Sequence, residues 1–353
     1  MSAAAPPLRV ALDVSALRLG DGGVQRVIRG LAGALAERAD VELIRLGDGP
    51  RPAGAASRRA IALRADLHWH VRGARAAAVA AGAAVLHTPY ARGPLAPGRP
   101  PSVITVHDLA VIRHPATLSG WNRRYSRRTL RRVLAAADAI VAVSADTADD
   151  LAAFAPDAAD RVRVIPNGVD AFWSEPDERP SGSDGPYVLA VATPEPRKNL
   201  GRLADAMRLR RERGAPERLV LVGGGGWGDA GIPDAPWIEP MGRVDDRRLR
   251  ALYRGASAVA IPSLHEGSGL PALEAFAAGA PVVAARAGAL PETCGDAAVL
   301  VDPFSPRAIA DGIDRAIAER DALVACGRER ASGRTWAAAA AAHAALYREV
   351  AGG

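Results

Sequence analysis

Lysine is nearly missing from this chain: of 45 basic residues among 353, Lys198 is the one lysine. Cysteine is almost as scarce, and Cys294 and Cys326 show no metal-ligand spacing, which implies reduced, incidental thiols. No apolar run approaches the ~20 residues needed to cross a bilayer. The opening MSAAAPPLRVALDVSALRLG lacks a basic segment followed by an apolar one, so no signal peptide is expected. A soluble, cytoplasmic protein is the expectation. The seven histidines form no HExxH-like pattern, and no Asp-x-Asp stands ready to hold a metal. No metal and no cofactor are expected. Aromatics make up only 4% against 49% hydrophobic residues, which implies a core of Ala, Val and Leu packed in α/β layers.

The net charge of +6 admits anionic partners, whether nucleic acid, nucleotide substrates or acidic lipid. Much of the excess is local, and nucleic acid is not expected as a partner. In GWNRRYSRRTLRRVLAA, arginine pairs recur at 123/124, 127/128 and 131/132, a spacing of four that lines one helical face. Peripheral contact with anionic membrane through 121–134 is one reading of that stripe. A solvated basic face over a packed apolar one is the other.

Short apolar runs alternate with helical or loop stretches: RVALDVSAL, VELIRL, AAVLHTP, SVITVHDL, AIVAVSA and RVRVIPNG, with an amphipathic segment from Val24 to Ala39 after the first. The pattern breaks at residues 170–186, rich in Pro, Ser, Gly and acids, which reads as a linker. It restarts with YVLAVAT, RLVLVGG, AVAIPS, PVVAAR and AAVLVDP. Strands alternating with helices predict parallel sheets covered on both faces. Two Rossmann-like domains, 1–175 and 186–335, are therefore expected to face each other across a cleft, with the Ala-rich helix 336–353 packing back on the first. In GGGGWG, Gly223, Gly225 and Gly228 satisfy GxGxxG after a strand, but Pro233 and Pro236 prevent a long helix from opening there. The run reads better as a tight strand-end turn beside a ligand than as a dinucleotide site.

Residues 265–276, HEGSGLPALEAF, hold two carboxylates eight positions apart, Glu266 and Glu274. Pro271 suits a helix start and Gly279 a stop, so Glu266 lies just before a helix and Glu274 in its early turns. The N–H groups of Gly267, Ser268, Gly269 and Leu270 would lack intrahelical partners at the positive end of the helix dipole, a place that attracts phosphate. Two acids beside it are better suited to accepting hydroxyl hydrogens from neighbouring parts of the same ligand, which suggests a nucleotide sugar. A capped helix with ordinary loop acids is the plainer alternative.

Upstream, ATPEPRKNL puts Arg197 and Lys198 at a strand-to-helix turn, on the side where a parallel sheet binds ligands. Fixed cations there would stabilise negative charge developing on a departing phosphate. In the first half, Gly22 and Gly23 of the GDGG turn precede a helix and allow close approach of backbone to a diphosphate. His107 ends the strand SVITVHDL, where it would either meet the sugar or serve the structure alone.

These stretches resemble the retaining glycosyltransferases of family 4, which have the GT-B architecture. GDGGVQR, TVHDL, VIPNGVD, TPEPRKNL, MGRVDDRRLRALY, PSLHEGSGLPALEAFAAGAPVVA and ALPETCGDAAVLVDP occur in family order. The resemblance implies that the C-terminal domain binds the nucleotide and the N-terminal domain the acceptor. It implies that Glu274 holds the ribose hydroxyls, Glu266 sits beside the donor sugar, and the main chain around Arg243 and Val244 meets the base. Gly267 to Leu270 would offer N–H groups to sugar and phosphate, Arg197 and Lys198 would neutralise the diphosphate, and His107 would meet the sugar. The implied reaction moves a mannosyl or rhamnosyl group, with retention, from a nucleotide-diphosphate sugar to a glycan or polyprenyl-linked acceptor. The chain departs from the pattern at Ser268, where many relatives carry an aromatic, and at Thr193, where many place a first basic residue. Rival readings are a nucleotide-sugar epimerase of the same fold and a non-catalytic nucleotide-sugar-binding subunit.

Overall fold

The structure is a computed structural model that describes residues 6–113, 120–176, 185–226 and 229–352. Gly228 of the glycine run, residues 177–184 of the expected linker, and the side chains of Trp121, Arg123, Tyr125 and Arg127 lie outside the described residues. The chain divides into two compact units. The first gathers the chain up to Ile112, then Gly120–Gly168, then the tail from Trp336; the second is built on Val169–Thr335.

In the first unit six strands pair in the order β2-β1-β3-β4-β5-β6. They are β1 (Leu8–Asp13), β2 (Val41–Leu46), β3 (Val85–Thr88), β4 (Ser102–Val106), β5 (Ala139–Ala142) and β6 (Val162–Val164). All pair in parallel. The central strands β3, β4 and β5 are buried throughout, which is why they read as continuous apolar runs without alternation. The helix Gly23–Ala36 covers the sheet with Val27, Ile28, Leu31, Ala32 and Leu35, one apolar stripe at helical spacing. The tail helix Trp336–Gly352 belongs to this unit, and a Cβ added to Gly30 would overlap the Trp336 indole. Buried His87 ties the tail down, with Nδ1 2.6 Å from the Tyr347 hydroxyl and Nε2 2.8 Å from the Thr105 hydroxyl. In the arginine-striped helix Gly120–Ala136, Leu130, Val133 and Leu134 are core residues, while Arg124, Arg128, Arg131 and Arg132 are exposed.

The second unit has the order β12-β11-β10-β7-β8-β9. Its strands are β7 (Tyr187–Val191), β8 (Arg218–Val222), β9 (Ile238–Gly242), β10 (Ala258–Ile261), β11 (Val282–Ala285) and β12 (Ala298–Val301). Read from its first strand this is the doubly wound order 3-2-1-4-5-6, whose direction reverses between β7 and β10. The sequence reading anticipates five of these strands and misses β9. IEPMG carries Pro240, and only an edge position with a bulge in its pairing to β8 tolerates it. The stretch expected as a linker begins inside this unit's core, where Trp173 is fully buried and packs edge-on against Tyr253. Among the described residues no helix is long and apolar enough to cross a membrane.

Candidate active site

The loops after β7 and β10 leave the carboxyl edge of the sheet at the point where strand order reverses, the place where doubly wound sheets bind ligands. The β7 loop carries a short turn, Pro196–Lys198, and then Asn199 in the left-handed conformation, φ 57°, ahead of the helix Leu200–Glu212. Asparagine tolerates that conformation better than most residues. Here its buried amide also donates to the carbonyls of Pro262, at 2.9 Å, and Pro303, at 2.7 Å, stitching three loops together. The cations at 197 and 198 are thereby placed against the β10 loop, confirmed by the bond from Leu264 N–H to the Arg197 carbonyl at 2.9 Å.

Glu266 is the hub. Lys198 Nζ and the Ser263 hydroxyl each donate to its Oε1 at 2.6 Å, and Arg197 Nη1 lies 3.7 Å from its Oε2. Burial alone would raise this carboxyl, but Lys198 and Arg197 overcome it and hold it at about 2. Arg197 is the more constrained cation, donating to the His265 carbonyl and to Glu195 Oε1, each at 2.6 Å. Burial raises the Glu195 carboxyl above its ordinary value despite Arg197 and Lys198. Two carboxylates and two cations thus share one loop junction. Sequence reasoning puts both cations on the diphosphate; within the loop junction the two make different contacts. Arg197 braces the loop backbone, and Lys198 donates directly to Glu266.

Beyond Glu266 the chain runs through buried Gly267, half-buried Ser268 and Gly269 into the helix Leu270–Ala278. Gly269 has φ 63°, and a Cβ there would press on Leu290 and Thr293 at 3.2 Å. Pro271 takes one of the first helical positions, where its lack of an N–H costs nothing. The orphan N–H groups of this helix start lie in the segment that immediately follows Glu266. Glu266 is fixed from below by the loop after β11: Ala289 N–H donates to its carbonyl at 2.8 Å, and Gly288 packs bare against its backbone.

Glu274 is buried on the same helix and accepts from the Tyr253 hydroxyl at 3.1 Å. Arg243, exposed, and Val244, half-buried, begin the loop after β9. The glycine run after β8 is a close approach of backbones. A Cβ at Gly223 would collide with the Ala192 carbonyl and one at Gly226 with that of Pro194, so both glycines press on the loop that carries the cations.

In the first unit, Gly22 caps the helix Gly23–Ala36, and its N–H donates to the Gln25 side chain at 2.9 Å. His107 lies beyond the carboxyl end of β4 with Nε2 2.9 Å from the Pro89 carbonyl, and burial lowers its pKa. A neutral imidazole donating from Nε2 leaves Nδ1 as an acceptor. Ser263, Gly288, Asn199 and Tyr253 escape the sequence reading.

Residues 21–171 match the family described as Glycosyltransferase Family 4, and residues 185–319 that described as Glycosyl transferases group 1. O-antigen chain mannosyltransferase B of Escherichia coli is 30% identical over 256 residues, 67% of each chain. The chain belongs to glycosyltransferase family 4. Within that family, a D-inositol 3-phosphate glycosyltransferase of Xylanimonas cellulosilytica is 34% identical over 279 residues, 70% of this chain and 66% of its own. These matches span about two thirds of the length of the curated relatives. The GT-B fold of this family 4 chain is shared with sucrose-phosphate synthase from Thermosynechococcus elongatus, at a TM-score of 0.72 and 23% identity, covering 97% of this chain and 99% of that one.

Proposed function

We propose that this family 4 chain is a retaining glycosyltransferase that moves a mannosyl or rhamnosyl group from a nucleotide-diphosphate sugar to a glycan or polyprenyl-linked acceptor. The observation that carries the proposal is the Lys198–Glu266 pair at the switch point, followed directly by a helix start. An ammonium and a set of orphan amides in one place stabilise the charge that gathers on a departing diphosphate. The mannosyltransferase relative supports the sugar, and the chemistry of the second unit supports the nucleotide.

In the proposed reaction the bond from anomeric carbon to phosphate oxygen breaks and its electron pair leaves with the diphosphate. The acceptor hydroxyl bonds to the same face of that carbon and passes its proton to the departing oxygen. Glu266, held at about 2 by its neighbours, is a weak base and a poorly free nucleophile, which supports a role in binding sugar hydroxyls over covalent attack. Glu274 would hold ribose hydroxyls, Arg243 and Val244 the base, and His107 the sugar or the acceptor. Lys198 and the amides supply the positive charge, so the reaction is proposed to proceed without a metal. The protein would act in the cytoplasm, with peripheral membrane contact through 121–134.

NMR of the first-formed product from GDP-mannose or dTDP-rhamnose, with and without EDTA, tests the reading. Retained anomeric configuration and full turnover in EDTA are expected. Inversion, or loss of activity restored by magnesium, would overturn the mechanism, and donor conversion without an acceptor would identify an epimerase.

A further inference from the structure

A cavity of about 550 Å³ opens in the first unit, lined by Arg72, Arg75, Arg99 and Arg132 together with apolar Val71, Val79 and Leu95. It is built from three pieces of chain. Val71, Arg72, Arg75, Ala76 and Val79 fall on one face where the helical stretch Ala65–Gly73 runs on into Ala74–Ala80. Arg99 comes from the loop between β3 and β4, and Arg132 from the last turns of the arginine-striped helix.

Arg75 forms the fixed floor. It donates to the Ala96 carbonyl at 2.6 Å and the Ser102 hydroxyl at 3.3 Å, and Gly98 packs flat against its guanidinium. Its Nε–H is buried without an acceptor. Asp138 attracts it from a distance, but that carboxylate is engaged by the Ser102 N–H at 2.7 Å. Arg72, Arg99 and Arg132 are exposed at the rim and have no acidic partner among the described residues. Four guanidinium groups around one concavity, with the Asp138 carboxylate already engaged by Ser102, repel one another unless an anion joins them. Val79 is 58% exposed at the same rim, so the site also offers apolar surface.

The cavity lies at the amino-terminal end of β4, where Ser102 begins the strand, while His107 follows its carboxyl end. At ~3.3 Å per residue the two ends are about 16 Å apart. The cavity is therefore separate from the carboxyl edge of this sheet.

We propose that this cavity binds a phosphate ester carrying an apolar group, with the guanidinium groups on the phosphate and Val71, Val79 and Leu95 on the apolar part. Planar guanidinium forks match phosphate oxygens two at a time, which favours phosphate over a simple halide. This inference does not depend on the transfer reaction.

Calorimetric titration with decyl phosphate, inorganic phosphate and the neutral decyl maltoside tests it. Decyl phosphate is expected to saturate one site per chain at least tenfold more tightly than either control. The double variant Arg99→Gln with Arg132→Gln, both exposed, should weaken it at least tenfold, and Val79→Ser about threefold. Lys198→Gln should leave it unchanged, which separates this site from the proposed donor site. Undetectable binding at millimolar concentration, or equal binding by the double variant, would overturn the proposal. Flotation with phosphatidylglycerol or phosphatidylcholine vesicles distinguishes the source. Retention on the first alone, lost in the double variant, assigns a lipid headgroup, whereas saturable decyl phosphate binding without retention assigns a soluble phosphate ester.

Discussion

Lys198 Nζ donates to Glu266 Oε1 at 2.6 Å, joining two loops 68 residues apart in sequence. The side chains are 13% and 10% exposed, so the pair is desolvated and its geometry is fixed by its neighbours. The only lysine among 45 basic residues is thus the one that reaches the buried carboxylate. Surface positions tolerate either cation, and there the chain uses arginine. A compact ammonium sharing Glu266 with Arg197 and Ser263 is expected to suit this buried junction better than a broad planar fork.

Lys198→Arg is therefore expected to lower turnover by at least about tenfold, roughly 1.4 kcal/mol of transition-state stabilisation, while the protein melts within a few degrees of the parent. Steady-state kinetics with a nucleotide-sugar donor and thermal melting check it. Undiminished turnover would remove Lys198 from the chemistry.

The depressed Glu266 carboxyl makes stability depend on acid. A folded pKa below the ordinary 4.5 means the stabilisation is complete above that value and is lost as pH falls toward about 2. The gap corresponds to roughly 3 kcal/mol at neutral pH. Glu266→Gln should be less stable than the parent by about that amount at pH 7, and the difference should narrow by roughly 2 kcal/mol at pH 3. Urea unfolding of both proteins across that range measures it. A difference that stays constant with pH would mean that the carboxylate is not held by its cations.

The cations and glutamates of the site are legible in the sequence because their residue types are unusual where they stand: PRKN at a strand end, HEGSGLP before a helix. Their partners are not. Ser263 is one hydroxyl in a loop, Gly288 one of 36 glycines, and Tyr253 sits at an ordinary core spacing in the helix Asp246–Gly255. Each acquires its role only when the order reversal between β7 and β10 brings the loops together, and strand order is not written in local pattern. Periodicity likewise finds the buried strands and misses β9, whose edge position excuses Pro240. Arg197 shows the converse limit. Its place beside Lys198 does not foretell its own contacts, in which the guanidinium donates to Glu195 and the His265 carbonyl.

Tyr253 and Glu274 give a second, separable test. If Glu274 holds ribose, Glu274→Gln should weaken binding of the free nucleoside diphosphate at least tenfold, and Tyr253→Phe, which frees the carboxylate from its 3.1 Å bond, by about threefold. Glu266→Gln should spare that affinity and depress turnover. Calorimetric titration with GDP, UDP and dTDP reads the difference. Equal losses for Glu266→Gln and Glu274→Gln would show that the two acids grip the same part of the ligand.

Gly288 offers a test of how closely the Glu266 backbone must be held. Its φ is 55°, in the region that disfavours side chains, and an added Cβ would lie 2.6 Å from the Glu266 carbonyl oxygen and 2.8 Å from its nitrogen. Both are backbone atoms, so no rotamer change relieves the clash and the loop itself must shift. Gly225 is the matched control: its φ is 71°, but nothing lies within 4 Å of where a Cβ would stand. Both alanine variants carry the conformational penalty of about 1 kcal/mol, and Gly288→Ala adds the displacement of Glu266, for a total of roughly 2–3 kcal/mol. Because the shift falls on Glu266 and not on Glu274, Gly288→Ala should cut turnover at least tenfold with nucleotide affinity within about threefold of the parent. Gly225→Ala should keep near-parental turnover. Melting curves, nucleotide titrations and kinetics on the three proteins decide it: a turnover loss shared equally by both variants would trace the effect to backbone strain in general, and intact turnover in Gly288→Ala would show that Glu266 acts without this support.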